Sequence, residues 1–334
     1  MRSARLKPGG PGRPAAYMSA MDPSPRHGLI NSLQSILLIG GMAVIVWICA
    51  EAILGGTGAL WALAVVAGLV LVTSAGQSEM VLSMYRARPV SAREFPDGVR
   101  LLEQLAERAG LSGRVALYYV PSRLPNAFAT RTREHAAVAV SDGLLRLLNG
   151  RELAGVLAHE VSHVANRDLW IMGLADVMSR LTSLVSWVGQ ILLIVNLPLI
   201  LMGSVAVPWT VPLLLIFAPT IMSLLQLALS RTREFDADLG AARLTGDPAG
   251  LASALAKLER RAGRFWEEIL LPGRRIPEPS LLRTHPKTQD RIARLRELDP
   301  EAFRPRPTVP ATAVAMPWPR VAPRPRWHRT GVWY

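Results

Sequence analysis

The chain has 334 residues, of which 50% are hydrophobic and only 19% are charged, yet its formal net charge is +13. A soluble domain carries about 25% charged residues, so this chain is both apolar and basic. Its apolar content excludes a wholly disordered protein, and its single cysteine excludes a disulfide-stabilised scaffold. Two partner classes suit such a chain, nucleic acid and an anionic membrane surface.

Most of the positive charge lies at the two ends. Residues 1–28 carry a net charge of +4 and residues 303–334 carry +6, which leaves +3 for the body. Both ends are rich in proline and lack a periodic apolar pattern, so we predict a flexible basic leader (1–28) and a flexible Pro/Arg-rich tail (303–334). Met18 and Met21 are alternative starts to Met1. The body offers no folded basic face with stacking aromatic residues, so we expect no nucleic-acid partner.

Two regions are long and uncharged enough to cross a bilayer as helical hairpins. The first covers residues 29–78 and is interrupted only by Glu51. The second, residues 181–230, is 50 residues long and has no ionisable side chain, which is enough for two spans. The middle of the second region holds the residues expected at its turn, namely Asn196, Pro198, Pro208 and Pro212. We therefore predict four transmembrane helices.

The loops predict the orientation of these helices. The turns inside both hairpins lack lysine and arginine, whereas the outer flanks contain Arg86, Arg88, Arg93, Arg231 and Arg233. The positive-inside rule places both termini and all polar segments in the cytoplasm. We expect a multi-pass protein of the inner membrane, with the lipid bilayer as a partner.

The polar segments read as one small mixed region (79–180) and one helical region (231–302). In the first, periodicity predicts a helix over 95–111 and short strands near 115–120, 127–129 and 136–140. A further helix is predicted over 152–166.

That last helix contains His159, Glu160 and His163 in the spacing HExxH. Residues at i and i+4 share one helical face, so both imidazoles can reach a single zinc ion. Zinc in a catalytic site takes three protein ligands and keeps one position open. Glu234 and Asp238 form another i, i+4 pair just after the second hairpin. Because a hairpin returns to the same membrane face, Glu234 is the best candidate for the third ligand, about 6 Å beyond the uncharged run.

Two segments resemble those of HtpX-type membrane zinc metalloproteases, which are bacterial relatives of the CAAX prenyl proteases. They are LAHEVSHVANRD at 157–168 and SRTREFDAD at 230–238. The resemblance extends over roughly residues 29–298. It includes PNAFA at 125–129, THP at 284–286 and the pair Arg291-Ile292.

The resemblance implies a mainly α fold, with four transmembrane helices and a cytoplasmic α+β zinc metallopeptidase domain that has a short sheet and an HExxH helix. It implies one Zn²⁺ per chain on His159, His163 and Glu234, with Glu160 as the general base. The resemblance further implies that Asp238 orients a ligand histidine. It implies that the substrate main chain binds to Asn126, Ala127 and Phe128. It also implies that His285 stabilises the oxyanion. From the residues alone, an ordinary strand at 126–128 and a turn histidine at 285 are the alternatives.

We therefore expect an integral membrane zinc endopeptidase that is active at the cytoplasmic face. The resemblance implies that its substrates are misfolded or damaged membrane proteins and other unfolded polypeptides. A CAAX-type processing protease and a non-enzymatic membrane adaptor with recruiting tails are the alternatives. The oligomeric state is left open.

Overall fold

The computed structural model describes residues 25–58, 60–61, 64–68, 77–111, 115–131, 135–202, 207–269, 288–298, 326–328 and 331–333. The helices of these ranges are α1 (Pro25–Leu54), α2 (Gln77–Met84), α3 (Pro96–Arg108), α4 (Asp142–Leu147), α5 (Gly150–Ala165), α6 (Asp168–Leu201), α7 (Thr210–Thr245), α8 (Pro248–Ile269) and α9 (Thr288–Leu298). A 3₁₀ turn at Gly55–Thr57 follows α1. The strands are β1 (Arg88–Pro89), β2 (Val115–Val120), β3 (Ala127–Arg131), β4 (Ala136–Ser141), β5 (Arg326–His328) and β6 (Gly331–Trp333).

Three helices in the described part of the chain are long and apolar enough to cross a membrane. They cover Leu33–Thr57, Asp168–Leu199 and Thr210–Thr245, which correspond to α1, α6 and α7. Their outward side chains remain apolar and exposed, as at Leu37 and Leu224, which suits contact with lipid tails. Residues 59, 62–63 and 69–76 of the second predicted span lie outside the described residues. A transmembrane helix at this second span therefore stays a prediction.

Helices α6 and α7 form the predicted hairpin, with the turn between Leu201 and Thr210. Asn196 does not lie in the turn, because α6 continues past it and past Pro198. Its side chain nevertheless closes the turn: the amide donates to the carbonyl oxygen of Val207 at 2.8 Å, and Oδ1 accepts from the Val207 N–H at 2.9 Å. Asn196 thus has a structural reason to lie in an apolar run, because its side chain forms hydrogen bonds with the backbone N–H and C=O of Val207.

The polar region contains a mixed four-stranded sheet in the order β1-β2-β4-β3. β2 and β4 are parallel, with Val115 opposite Ala136, whereas β3 is antiparallel to β4, with Ala127 opposite Val140. This order places β3 at an edge of the sheet. The helix and three strands predicted between 95 and 140 are present, at Pro96–Arg108 and in β2, β3 and β4.

The sheet has a different set of helices on each face. Val138 and Val140 belong to a core that also contains Leu102 of α3, Leu157 of α5 and Leu251 of α8. The alternate residues of the strands face the other way, and these residues pack with Leu82 of α2. Helix α5 therefore lies in the main core, which fixes the position of its two histidines.

Two glycines let neighbouring helices approach α5 closely. A Cβ atom on Gly155 would lie 2.9 Å from the Cα atom of Leu251 in α8. A Cβ atom on Gly240 of α7 would lie 1.9 Å from Oγ of Ser162. The missing side chain at Gly155 lets α8 lie close to α5, and the missing side chain at Gly240 lets α7 lie close to Ser162, on the helix that carries His159 and His163.

Helices α6 and α7 run through the expected divisions at 180/181 and 230/231. These divisions separate membrane from polar segments and stay predictions, because a change from charged to uncharged sequence does not end a helix. In the tail expected to be flexible, β5 and β6 pair as a short antiparallel ribbon, with Arg326 opposite Trp333. Residues 303–325 lie outside the described residues.

Candidate metal centre

Helix α5 is anchored at its first turn. Asn149 and Glu152 form a capping box, in which each side chain accepts from the backbone N–H of the other at 2.9 Å. The buried Glu152 carboxylate also accepts from Ser253 and Lys257 of α8, both at 2.7 Å. Burial opposes ionisation of this carboxylate, but the bonds from Lys257, the Asn149 N–H and Ser253 hold the pKa of Glu152 below its usual value.

The two histidines predicted to share a helical face do so. Nε2 of His159 and Nε2 of His163 are 3.1 Å apart, and the rings meet edge to face. His159 is buried and His163 is partly buried. Both Nε2 atoms therefore converge on one point beside α5.

Glu234 of α7 approaches the same point. Its Oε2 lies 3.4 Å from Nε2 of His159, and its Oε1 lies 3.7 Å from Nε2 of His163. Ligand atoms about 2.0–2.1 Å from a tetrahedral zinc ion are separated from one another by about 3.3 Å. The two Nε2 atoms are 3.1 Å apart, and they lie 3.4 and 3.7 Å from the two different oxygens of Glu234, so the two imidazoles and the carboxylate are close enough to share a zinc ion.

Each histidine has an aspartate on its other nitrogen. Oδ1 of Asp238 lies 3.0 Å from Nδ1 of His159, and Oδ2 of Asp168 lies 2.9 Å from Nδ1 of His163. A carboxylate at Nδ1 holds the tautomer in which the Nε2 lone pair is free to bind a metal. Both imidazoles are therefore oriented as ligands.

Arg291 of α9 is the buried cation of this cluster. Its Nε and Nη2 donate to the two carboxylate oxygens of Asp238 at 2.7 and 2.6 Å, and its Nη1 lies 3.0 Å from Oε2 of Glu234. Burial opposes the charge on Arg291, but the carboxylates of Asp238, Glu234 and Glu160 outweigh it and raise its pKa. The arginine thus links α9 to the centre.

Carboxylates dominate the potential at His159. Burial and the Arg291 charge lower the pKa of His159, whereas Asp238 and Glu234 raise it, with a net rise to about 10. A potential that favours a proton on His159 this strongly also favours a divalent cation at the same point.

Residues 92–299 match the sequence pattern of a family described as "Peptidase family M48". The chain belongs to this family. It is 36% identical over 304 residues to a "Protease HtpX homolog" of Acaryochloris marina. This alignment covers 85% of this chain and 100% of that relative. It is 40% identical over 245 residues to a "Protease HtpX homolog" of Pyrococcus furiosus, which covers 66% of this chain and 79% of that relative.

A solved structure is also similar, that of Ste24p from S. mikatae. Its sequence identity with this chain is 19% and its TM-score is 0.44, with 80% of this chain covered. The chain spans 65% of the length of Ste24p.

Family and relatives together make this chain a membrane metalloprotease of the HtpX type, which confirms that prediction. M48 peptidases depend on zinc in general, and the cluster of His159, His163 and Glu234 is where this peptidase could hold it. The three long apolar helices among the described residues suit a membrane protein.

The other predicted site residues are distributed as follows. Glu160 is buried on α5, next to His159. Residues 126–128 lie at the start of the edge strand β3, with the Asn126 N–H donating to Ser141 Oγ at 2.8 Å. The ring of Phe128 packs on Tyr85, on the sheet face covered by α2. His285 lies outside the described residues, so its role stays a prediction.

Sequence reasoning assigned no role in the metal centre to Asp168, Arg233 or Arg291. All three lie in the segments that carry the family resemblance, which marked them as part of a motif. No helical spacing connects Asp168 or Arg291 to a histidine, because each lies on a different helix from the one it contacts.

Proposed function

We propose that this peptidase holds one Zn²⁺ per chain with His159, His163 and Glu234 and cleaves peptide bonds as an endopeptidase. The observation that carries this proposal is the convergence of the two Nε2 atoms and the Glu234 carboxylate, all buried or partly buried, at separations of 3.1–3.7 Å. Two nitrogen donors and one carboxylate form the set that suits catalytic zinc. A zinc ion held there supplies Lewis acidity, which polarises a carbonyl group and acidifies water.

Glu160 serves as the general base. It is buried next to His159 in the sequence, and its carboxylate is near enough to Arg291 to help raise the pKa of that residue, without belonging to the convergent set. We assign it two proton transfers: it accepts a proton from the attacking water and delivers it to the leaving amine nitrogen. Asp238 holds His159 in its ligand tautomer, because its carboxylate accepts from Nδ1.

We further propose that the substrate binds as an added strand along β3. An edge strand offers main-chain donors and acceptors to an extended peptide, and Asn126, Ala127 and Phe128 begin the edge strand β3 here. Because main-chain bonds ignore side-chain identity, this mode suits unfolded polypeptides of varied sequence.

Membrane proteins that are misfolded or damaged are the substrates we propose. Helix α7 runs unbroken from its apolar segment through Ser230 to Glu234, a rise of about 6 Å. That rise puts the centre close to the bilayer surface. We propose four spans, an inner-membrane location, and a cytoplasmic active site, because Arg231 and Arg233 follow the second hairpin.

Glu160→Gln in detergent-purified protein tests the mechanism. Casein cleavage should fall by about 10²–10⁴-fold, while the variant still binds one zinc ion per chain by metal analysis. His159→Ala should lose the metal as well as the activity. Glu103→Gln, an exposed carboxylate on α3, is the matched control and should cleave casein at the wild-type rate. Undiminished cleavage by Glu160→Gln would contradict the proposal.

Two further arms test substrate class and orientation. Casein should be cleaved in preference to a prenylated C-terminal peptide, and the reverse preference would indicate a CAAX-type enzyme. Inverted inner-membrane vesicles should cleave added casein without detergent, whereas right-side-out vesicles should not.

A further inference from the structure

Asp168 joins three helices at the metal centre. It is the first residue of α6 and its side chain is only 3% exposed. Oδ2 lies 2.9 Å from Nδ1 of His163 in α5, and Oδ1 accepts from Nη1 of Arg233 in α7 at 3.3 Å. Both carboxylate oxygens are therefore used, one by a histidine at the centre and one by an arginine next to Glu234.

The turn between α5 and α6 puts Asp168 in this place. Helix α5 ends at Ala165, and Arg167 adopts a left-handed conformation with φ of 59°. A non-glycine residue rarely adopts this conformation, and it prevents α5 from continuing. The chain leaves the turn into α6, whose N-terminal dipole favours a carboxylate in the first turn. The turn therefore sets the position of Asp168, and the helix dipole favours a carboxylate there.

The two histidines are supported in the same manner. Asp238 contacts Nδ1 of His159 and pairs with Arg291, while Asp168 contacts Nδ1 of His163 and pairs with Arg233. The difference is in what each pair connects. The pair of Asp168 and Arg233 links His163 to the first residue of α6 and to the middle of α7, the two helices of the second hairpin.

We propose that Asp168 is the positioning residue of His163. Its charged carboxylate accepts from the Nδ1–H through Oδ2 and so directs the Nε2 lone pair at the metal, while the contact of Oδ1 with Arg233 is secondary. The inference rests on the proposed zinc site. It predicts that Asp168 contributes to zinc affinity through its contact with His163, and not through its ion pair with Arg233.

The test measures zinc affinity of detergent-purified full-length protein by competition with a chelating dye. Asp168→Asn keeps the shape of the side chain but removes its charge, and it should weaken zinc binding by about 10–100-fold. Cobalt substitution should show a shifted visible spectrum in the same variant. Arg233→Gln leaves the carboxylate on His163 and should change the dissociation constant by less than about threefold. The matched control is Asp176→Asn on α6, which removes an exposed partner of Arg180 and should change neither readout.

Two results would overturn the assignment of Asp168. One is a zinc affinity of Asp168→Asn within about twofold of wild type. The other is an equal loss in Asp168→Asn and Arg233→Gln, which would make the ion pair a structural one. If the asparagine variant does not fold, Asp168→Glu keeps the charge but moves it by one methylene, and wild-type affinity in that variant refutes positioning. Failure of wild-type protein to bind zinc in this assay would refute the proposed function instead.

Discussion

Arg291 is held among buried carboxylates, and replacing it with methionine should destabilise the protein by about 3–5 kcal/mol. The guanidinium makes three short contacts with oxygens of Asp238 and Glu234, at 2.6, 2.7 and 3.0 Å, and its side chain is 7% exposed. Methionine preserves the unbranched, flexible shape of the arginine stem but not its charge. The cost therefore arises from two carboxylates left in a buried site without their cation.

The magnitude can be measured as a melting temperature. For a protein of this size, about 2 °C is lost per kcal/mol, so Arg291→Met should melt about 6–10 °C lower than wild type. The comparison is made by thermal unfolding in detergent with a chelator present, so that zinc does not supply the missing positive charge. Arg294→Met on the same helix is the matched control. It removes an exposed guanidinium that lies 3.7 Å from the centroid of the Phe235 ring, an interaction that contributes about 0.5–1 kcal/mol.

A double variant separates the charge from the packing. If the loss comes from an uncompensated buried charge, Asp238→Leu combined with Arg291→Met should melt higher than Arg291→Met alone. The reasoning is refuted if Arg291→Met melts no lower than Arg294→Met. It is also refuted if the melting temperature of the double variant falls below that of wild type by the sum of the two single-variant decreases.

The close helix crossing and the anchored first turn of α5 give two further predictions. Gly155→Ala should destabilise the protein by about 1–3 kcal/mol in thermal unfolding, because the added Cβ atom meets backbone atoms of Leu251, and a stability equal to wild type would contradict the close approach. Glu152→Gln should cost about 1–3 kcal/mol at pH 7, because Lys257 and Ser253 lose a charged acceptor. Since the pKa of Glu152 is lowered in the fold, this contribution is present above the unfolded pKa of about 4.3 and is lost as pH falls through the folded value. The difference between the two proteins should therefore shrink below about pH 4, and a difference independent of pH would refute it.

The parts of the site that could be predicted from the sequence are those set by local geometry. The spacing of His159 and His163 places both rings on one face of any helix, whatever the rest of the fold does. Glu234 could be proposed because an uncharged hairpin returns the chain to its starting face. Each inference needed only a helix period or a span length.

The remaining contacts depend on tertiary packing. Arg291 meets Asp238 across 53 residues of sequence, and its place is fixed by the packing of α9 on the core through Leu295. Asp168 follows His163 by five residues, a distance that in a continuous helix would not bring the two side chains onto one face. Only the left-handed turn at Arg167 brings them together, and an arginine carries no sequence signal for that conformation.

The structure also explains why the metal centre and the membrane hairpin belong to one unit. Two of the donor atoms come from α5, but the third, on Glu234, comes from α7, a helix that also contains a candidate membrane span. Asp168, the first residue of α6, contacts His163 from the other helix of the hairpin. A fragment confined to residues 79–180 would therefore contain two histidines and no third ligand. On the proposed zinc site, the polar lobe obtains all three ligands only while it is packed on these two candidate membrane helices.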